Sequence, residues 1–386
     1  MGASRTLGVV GAGQLGRMLH QAAVSHVIGP ETTIRFLAEH PDEPAVQVAP
    51  SWEIGAAMSA DDLTRFAKGC DVVTFEHEVV DLQAIRALER AGAVVRPSAA
   101  ALAIVADKVA MRRAVQGAGL PVPPWCQVAD ADQLDDAIGR WPSVVLKLSR
   151  GGYDGRGVFM PDSADEAARI GRTLLQAGAV LLVEPRIAFE AEAAIIVARR
   201  PGGQCVVYDP VRTEQVDGQC REVRVPSGLA PAVAARCREV AIAAAAAVDV
   251  VGLLAVELFV LDGGNVVVNE LAVRPHNTGH HTIDACVTSQ FENHLRAVLD
   301  LPLGDPSLRC DAAVMVNVIG NAVGDDPVDH LEAALALDPA ARIHLYGKRA
   351  RPDRKLGHVT VCADEVDDAA ARAWAVVAAL HGDGRP

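Results

Sequence analysis

Lys147-Leu148-Ser149-Arg150-Gly151-Gly152-Tyr153-Asp154-Gly155-Arg156-Gly157 reads as a strand that ends on lysine and runs into a loop with four glycines in seven residues. Backbone N–H groups of such a loop can close over a polyphosphate while the flanking cations neutralise its charge. A hairpin that merely turns would need the glycines but not Lys147, Arg150 and Arg156, so the density of cations favours a phosphate flap. No G-K-[ST] closes the loop, which excludes a Walker A turn. Downstream, Leu253–Leu261 and Asn265–Ala272 are strand-like runs joined by Asp262-Gly263-Gly264, a hairpin signal. Glu257 and Glu270 fall on its opposite arms, with Asn269 beside the second. Glu257 sits inside Val-Gly-Leu-Leu-Ala-Val-Glu-Leu-Phe-Val, and a carboxylate in so apolar a run needs a partner. Two carboxylates facing each other across strands repel unless a cation lies between them, and oxygen ligands suit Mg2+ bridging phosphates. An exposed strand pair is the alternative, which the apolar context disfavours.

Upstream, strand-like and helix-like segments alternate. Leu7–Val10 is a strand, and Gln14–Val24 carries Leu15, Met18, Leu19 and Ala22 at helical spacing. Thr33–Leu37, Cys70–Phe75 and Ala93–Val95 read as further strands. Ser59-Ala-Asp-Asp62 reads as a capping box for a helix to about Lys68, and Asp81–Arg90 as another helix. This alternation predicts a parallel, doubly wound sheet. Gly11-Ala12-Gly13-Gln14-Leu15-Gly16 lies between the first strand and helix, where a helix N-terminus can hold a phosphate. Alone it suggests a dinucleotide site with Glu39 on the ribose, or else only a tight turn. Glu76 ends a strand at the edge where ligands of open α/β sheets bind.

A second unit opens near Ala103, with Asp107 capping a helix that stops by Gly117–Gly119. Strands are expected at Ser143–Leu148, Gly157–Met160, Val180–Val183 and Ala193–Ala198. Pro231 suits the first turn of a long Ala-rich helix ending before Gly252. Beyond Leu303 come a strand (Ala312–Ile319), a helix near Leu331–Leu337 and a closing helix from Asp367.

The chain has 386 residues, 36 Lys+Arg and 49 Asp+Glu, hence a net charge of −13, with 50% hydrophobic residues. Such a length suits two or three domains, and the composition is that of a core-forming chain. The acidity argues against nucleic acid as a partner but allows a small anionic substrate gathered by local cations. No apolar run reaches the ~20 residues of a membrane span, and Met1–Val10 leads straight into a strand, so neither a span nor a signal peptide is expected. The eight cysteines form no CxxC pair, which points to reducing cytoplasm. His276, His280 and His281 match no common zinc spacing, and His77-Glu78-Val79-Val80-Asp81 lacks the second His of H-E-x-x-H. The loop Arg274–His281 is therefore read as positioning a substrate. Lys348-Arg349-Ala350-Arg351-Pro352-Asp353-Arg354-Lys355 is a sharp basic cluster in an acidic chain, suited to a sugar phosphate.

Taken together, these segments resemble the ATP-grasp carboxylate–amine ligases, and within them the N5-carboxyaminoimidazole ribonucleotide synthetases of de novo purine synthesis. The resemblance covers nearly the whole chain. It rests on Gly11–Leu19, Thr74-Phe75-Glu76-His77-Glu78, Gly151–Gly157, Asn269–His280, Thr282–Glu292, Tyr346-Gly347-Lys348 and Arg354-Lys355-Leu356-Gly357-His358. It implies an α/β and α+β chain: a Rossmann-like pre-ATP-grasp domain (residues 1–103), an ATP-grasp domain (104–303) and a small C-terminal domain (304–386). It further implies ATP contacts at Lys108, Lys147, Gly152, Tyr153, Asp154, Gly155, Arg156, Gly157 and Val158. The adenine hinge would be Glu184, Pro185, Arg186 and Ile187, with Glu192 on the ribose, Gln215 and Asn269 nearby, and Glu257 and Glu270 carrying Mg2+ (or Mn2+). Aminoimidazole ribonucleotide would lie against Gln14, Leu15, Glu76, Tyr153, Arg156, Arg274 and Asn277, its phosphate on Lys348, Arg354 and Lys355. Arg274, Tyr153 and Arg156 would act in catalysis. The expected substrates are ATP, bicarbonate and that ribonucleotide; a cytoplasmic homodimer is expected.

Three positions depart from the family's pattern. Asp353 stands where glycine is usual, the acidic residue near Gln215 is placed differently in Arg212-Thr213-Glu214, and Ala38 replaces a common Asp. A formate-dependent glycinamide ribonucleotide ligase shares most of these motifs, but the Gly151–Gly157 loop and Ile283-Asp284-Ala285-Cys286 favour the carboxylase. Biotin is not expected, because no biotinyl Met-Lys-Met occurs. A dinucleotide-binding protein resting on Gly11–Gly16 is the reading from another class.

Overall fold

The computed structural model describes residues 5–25, 32–151, 157–321 and 324–382. The first unit runs β1 (Arg5–Val10), α1 (Gln14–Ser25), β2 (Thr32–Ala38), β3 (Trp52–Ile54), α2 (Ala60–Ala67), β4 (Val72–Phe75) and α3 (Leu82–Arg90). Its four strands pair in parallel in the order β3-β2-β1-β4, as the alternation predicts. Ser59 caps α2 by accepting from Asp62 N–H, and Asp62 in turn accepts from Ala56 N–H at 3.0 Å. Asp81 caps α3. The expected strand at Ala93–Val95 is reduced to one bridge, Val95 to Val73. Strand β3 escaped notice because Trp52 and Ile54 face solvent, leaving no apolar alternation to read.

The middle of the chain runs α4 (Ala99–Val105), α5 (Lys108–Gly117), β5 (Cys126–Val128), α6 (Ala131–Gly139), β6 (Val144–Leu148), β7 (Val158–Phe159), α7 (Ala164–Gln176) and β8 (Leu181–Pro185). Strands β5, β8, β6 and β7 form a small antiparallel sheet in that order, covered by α6 and α7. There follow β9 (Ala191–Arg199), β10 (Cys205–Val207), β11 (Val211–Val216), β12 (Gln219–Val225), α8 (Pro231–Val248), β13 (Gly252–Val260), β14 (Val266–Ala272), α9 (Thr282–Ala285) and α10 (Gln290–Val298). The tail adds β15 (Ala312–Ile319), α11 (Leu331–Leu337), β16 (Arg342–Leu345), β17 (Lys355–Ala363) and α12 (Val366–Leu380).

Among the described residues, nine strands form one large sheet, in the order β14-β13-β9-β11-β12-β15-β17-β16 with β10 on β9. Tail and middle segments are thus joined edge to edge, because β12 pairs β15 from Glu222–Val316 to Val225–Ala313. The long helix α8 begins on Pro231 and ends on Asp249 in the left-handed region. Its buried Ala241, Ala244 and Ala245 let the helix lie close to the apolar faces of β9, β13 and β14.

The first unit packs on the rest through two cores. One joins Phe66, Phe75 and Ile85 to Ile195, Val240 and Val256; the other joins Leu7, Leu19 and Phe36 to Phe291, Leu295 and Val298. Each fully buried aliphatic or aromatic side chain there stabilises by roughly 1.5–3 kcal/mol. No described helix is long and apolar enough to cross a membrane.

Candidate active site

Asp107 sets one wall of the site. Its carboxylate caps α5 by accepting from Val109 and Ala110 N–H, and it also takes the Ser149 hydroxyl at 2.6 Å. Lys108 therefore starts the helix beside the end of β6. The Lys108 Nζ donates to Glu270 Oε1 on β14 at 2.7 Å. From β6, Lys147 Nζ donates to Asn269 Oδ1 at 3.0 Å and pairs with Glu184 of β8. Glu184 and Lys147 are both buried, and burial pulls the Lys147 ammonium below its ordinary range even beside that carboxylate. For Glu184 burial works upward, but Lys147 and Arg112 outweigh it and hold the carboxyl low.

Glu257 and Glu270 are direct register partners across β13 and β14, with a bulge between Glu257 and Leu258. Their environments separate them. Burial, then the neighbouring Glu270 and Glu192, push Glu257 up to about 7. Burial acts on Glu270 as well, yet the Lys108 contact keeps it below the usual carboxylate range. Glu192 on β9 is likewise pushed to about 7, by burial and then by Glu214. Gln215 lies at a bulge in the β11–β12 pairing, which shifts its register relative to Glu214. Beyond Glu184 and Pro185, Arg186 N–H donates to the Ser143 carbonyl at 3.0 Å and so ties the end of β8 to the start of β6. Gly157 precedes β7, which opens on Val158, while Gly152, Tyr153, Asp154, Gly155 and Arg156 lie outside the described residues.

The second part of the site lies at the carboxyl edge of the first sheet. Glu76 follows β4, and its two oxygens accept from Gly13 N–H and, at 2.7 Å, from Gly16 N–H. A Cβ at Gly13 would come within 2.6 Å of Glu76 Oε1, so this glycine exists to admit the carboxylate. The position a dinucleotide phosphate would need at the start of α1 is filled by the protein's own anion. Gln14 pairs with Lys348, whose ammonium also sits 5.7 Å from the Tyr346 ring centroid. Arg274 Nε donates to Glu78 Oε2 at 2.9 Å. Asn277 and Asn317 exchange side-chain amide hydrogen bonds at 2.8 and 2.7 Å. Arg354 Nη1 donates to the Arg349 carbonyl at 3.1 Å, and Lys355 begins β17.

The two parts adjoin. His276 Nε2 is 3.6 Å from Glu257 Oε1, and the Lys355 charge also acts on Glu257. Ligand groups held by Arg274 and by Glu257 would thus be neighbours.

Four participants were not singled out from sequence. Arg112 is four residues after Lys108, the spacing that puts two cations on one helix face; Glu78 and His276 stood inside motifs already read; Asn317 carried no local signal. Within the loop Arg274–His281, two of the three histidines turn into the core. His280 and His281 are buried at 0% and 3% exposure, and burial lowers both, His281 to about 4. His280 packs against Phe291, Tyr346 and His358. Asp284, His344 and His358 come within 4.8 Å of one another. However, the His344 and His358 rings stack in parallel at 4.5 Å, so their lone pairs do not converge. Asp284 Oδ2 bonds His344 Nε2 at 2.7 Å, and Tyr346 Oη bonds His358 Nδ1 at 2.8 Å. These groups form a polar support beneath Lys348.

Comparison with known proteins follows the same division. Residues 4–106 match the ribonucleotide synthetase preATP-grasp domain, 113–291 the ATP-grasp domain, and 313–372 the phosphoribosylaminoimidazole carboxylase C-terminal domain. The chain is 42% identical over 372 residues to N5-carboxyaminoimidazole ribonucleotide synthase of Mycobacterium tuberculosis, covering 95% of this chain and 85% of that one. The Aspergillus clavatus carboxyaminoimidazole ribonucleotide synthase complexed with ATP superposes with a TM-score of 0.89 at 32% identity, over 98% of this chain and 99% of that one. The Aspergillus clavatus structure with ADP and 5-aminoimidazole ribonucleotide gives 0.87 at 31% identity, over 99% and 100%.

Proposed function

The chain belongs to the N5-carboxyaminoimidazole ribonucleotide synthases, a family of ATP-grasp ligases, and on that premise we propose how its own residues carry the reaction. The activity is ATP-dependent carboxylation of 5-aminoimidazole ribonucleotide by bicarbonate, yielding N5-carboxyaminoimidazole ribonucleotide, ADP and phosphate in de novo purine synthesis. Bicarbonate is a poor electrophile. Transfer of the γ-phosphoryl group to a bicarbonate oxygen breaks the bond to ADP and makes carboxyphosphate, a mixed anhydride. The exocyclic amine then forms the C–N bond, loses a proton, and phosphate leaves.

Lys108 and Lys147 hold the triphosphate, Glu184, Pro185, Arg186 and Ile187 meet the adenine, and Glu192 takes the ribose. Gln215 and Asn269 line the same pocket. The flap Gly152–Val158 excludes water from an anhydride that water would destroy. Gln14, Leu15, Glu76 and Asn277 hold the amine substrate, with its phosphate on Lys348, Arg354 and Lys355. Arg274, Tyr153 and Arg156 act in catalysis by stabilising developing negative charge.

Glu257 and Glu270 fit a divalent cation: they are paired oxygen donors, and Glu257 is pushed to about 7 by burial and by the facing carboxylate, a repulsion that a cation relieves. Mg2+, or Mn2+ in its place, would draw charge from the transferring phosphoryl group. The observation that carries this reading is the adjacency of the two half-sites: His276, between Arg274 and Asn277, reaches Glu257.

The units 1–103, 104–303 and 304–386, a cytoplasmic location and a homodimer belong to the same proposal; light scattering on the purified chain reads the last. The deciding assay is ADP release with aminoimidazole ribonucleotide plus bicarbonate beside glycinamide ribonucleotide plus formate. Stimulation by the first pair alone is expected, and stimulation by only the second would replace the substrate assignment.

A further inference from the structure

We propose that Arg112 is a positioning residue for ATP, locking the small sheet to the metal-bearing strand without itself meeting the nucleotide. The proposal rests on the ATP assignment of Lys108, Lys147 and Glu270 above. Arg112 is 1% exposed, among the largest fully buried side chains of the described residues. Its Nη1 donates to two carbonyls of β14, Val268 at 2.9 Å and Asn269 at 2.7 Å. Its Nη2 donates to Glu184 Oε2 on β8 at 2.9 Å. The other oxygen of Glu184 pairs with Lys147 of β6, and Lys147 returns to Asn269. The circuit Arg112, Glu184, Lys147, Asn269 therefore closes on itself.

Its members come from α5, from the paired strands β8 and β6 of the small sheet, and from β14 of the large one. The small sheet shares no pairing with the large one among the described residues. Moreover, among the described residues β14 is the terminal strand of the large sheet, so its outer carbonyls look to side chains rather than to a neighbouring strand. Arg112 supplies those donors, and one turn earlier on the same helix Lys108 reaches Glu270. Holding α5 at this height sets three things together: the Lys108–Glu270 contact, the Lys147 ammonium, and the strand end that carries the hinge. A planar fork with several fixed donors can serve two carbonyls and a carboxylate at once, whereas an ammonium on a single stem cannot keep that geometry.

A merely structural ion pair would affect stability and leave nucleotide affinity alone. The test uses Arg112→Lys, which keeps the charge beside Glu184, and Arg112→Met as the second variant. ADP binding by titration, KM for ATP, KM for aminoimidazole ribonucleotide and thermal melting are read on each. We expect Arg112→Lys to weaken ADP binding and raise KM for ATP tenfold or more, with KM for the ribonucleotide within twofold of the unmutated chain. Arg112→Met should do the same or worse. ADP affinity and KM for ATP within twofold in folded Arg112→Lys, whatever its melting temperature, would overturn the proposal. Failure of the unmutated chain to bind ADP would instead remove the ATP assignment, and this proposal with it.

Discussion

At position 353, where the family's pattern has glycine, the backbone adopts φ 59°, the left-handed region. Asp tolerates that conformation better than most residues but less well than glycine. Asp353→Gly is thus expected to raise stability by about 1 kcal/mol in urea unfolding. It also removes an anion beside Arg354 and Lys355, so KM for the ribonucleotide should fall; an unchanged KM would separate Asp353 from the phosphate site. Glu270 poses the opposite case. Glu270→Gln keeps the shape and the Lys108 hydrogen bond but removes the charge that faces Glu257. Mg-ATP turnover should be lost with the circular dichroism spectrum intact; turnover at the original rate would take Glu270 out of the metal pair.

The elements were legible where one local rule governed them. Caps at Ser59 and Asp107, the helix ending at Arg90, the Pro231 start of α8 and the hairpin carrying Glu257 and Glu270 all appear as read. Strands β12, β16 and β17 did not, because their residues are chosen by neighbours far along the chain. Glu222 in β12, for example, is buried against Trp374 of α12 and Arg224, a context no local pattern contains. The site divides in the same manner. Side chains inside motifs were found, while Arg112 and Asn317, which act through contacts 72 and 40 positions away, were not. The β1–α1 turn shows how a motif can be present and mean something else, since its helix start holds Glu76. Gly13→Ala would push a methyl into that carboxylate. KM for the ribonucleotide should rise tenfold or more with KM for ATP unaffected, measured by steady-state kinetics.

For the whole molecule, four buried histidines set an acid limit. Burial lowers His280 and His358 well below their ordinary value, His281 to about 4 and His294 to about 3. The native state keeps these rings neutral while the unfolded chain protonates near 6.5, so the unfolded state binds more protons below that pH. Their contribution is complete above pH 6.5 and is lost as pH falls towards 4, by on the order of 1 kcal/mol per histidine per pH unit. Unfolding midpoints in urea should therefore drop clearly between pH 7.5 and 5.5; equal midpoints would contradict the burial of these rings.

The pairing of β12 with β15 has a last consequence, for how such a chain can be divided. A cut between residues 225 and 312 would strip β12 of its partner and bare a row of unsatisfied backbone groups, an invitation to self-association. The C-terminal segment is thus no exchangeable cartridge. An amine-side specificity could be grafted from a relative only together with the sheet that crosses the seam, and a fragment ending at residue 303 should be recovered in aggregates rather than as a monomer.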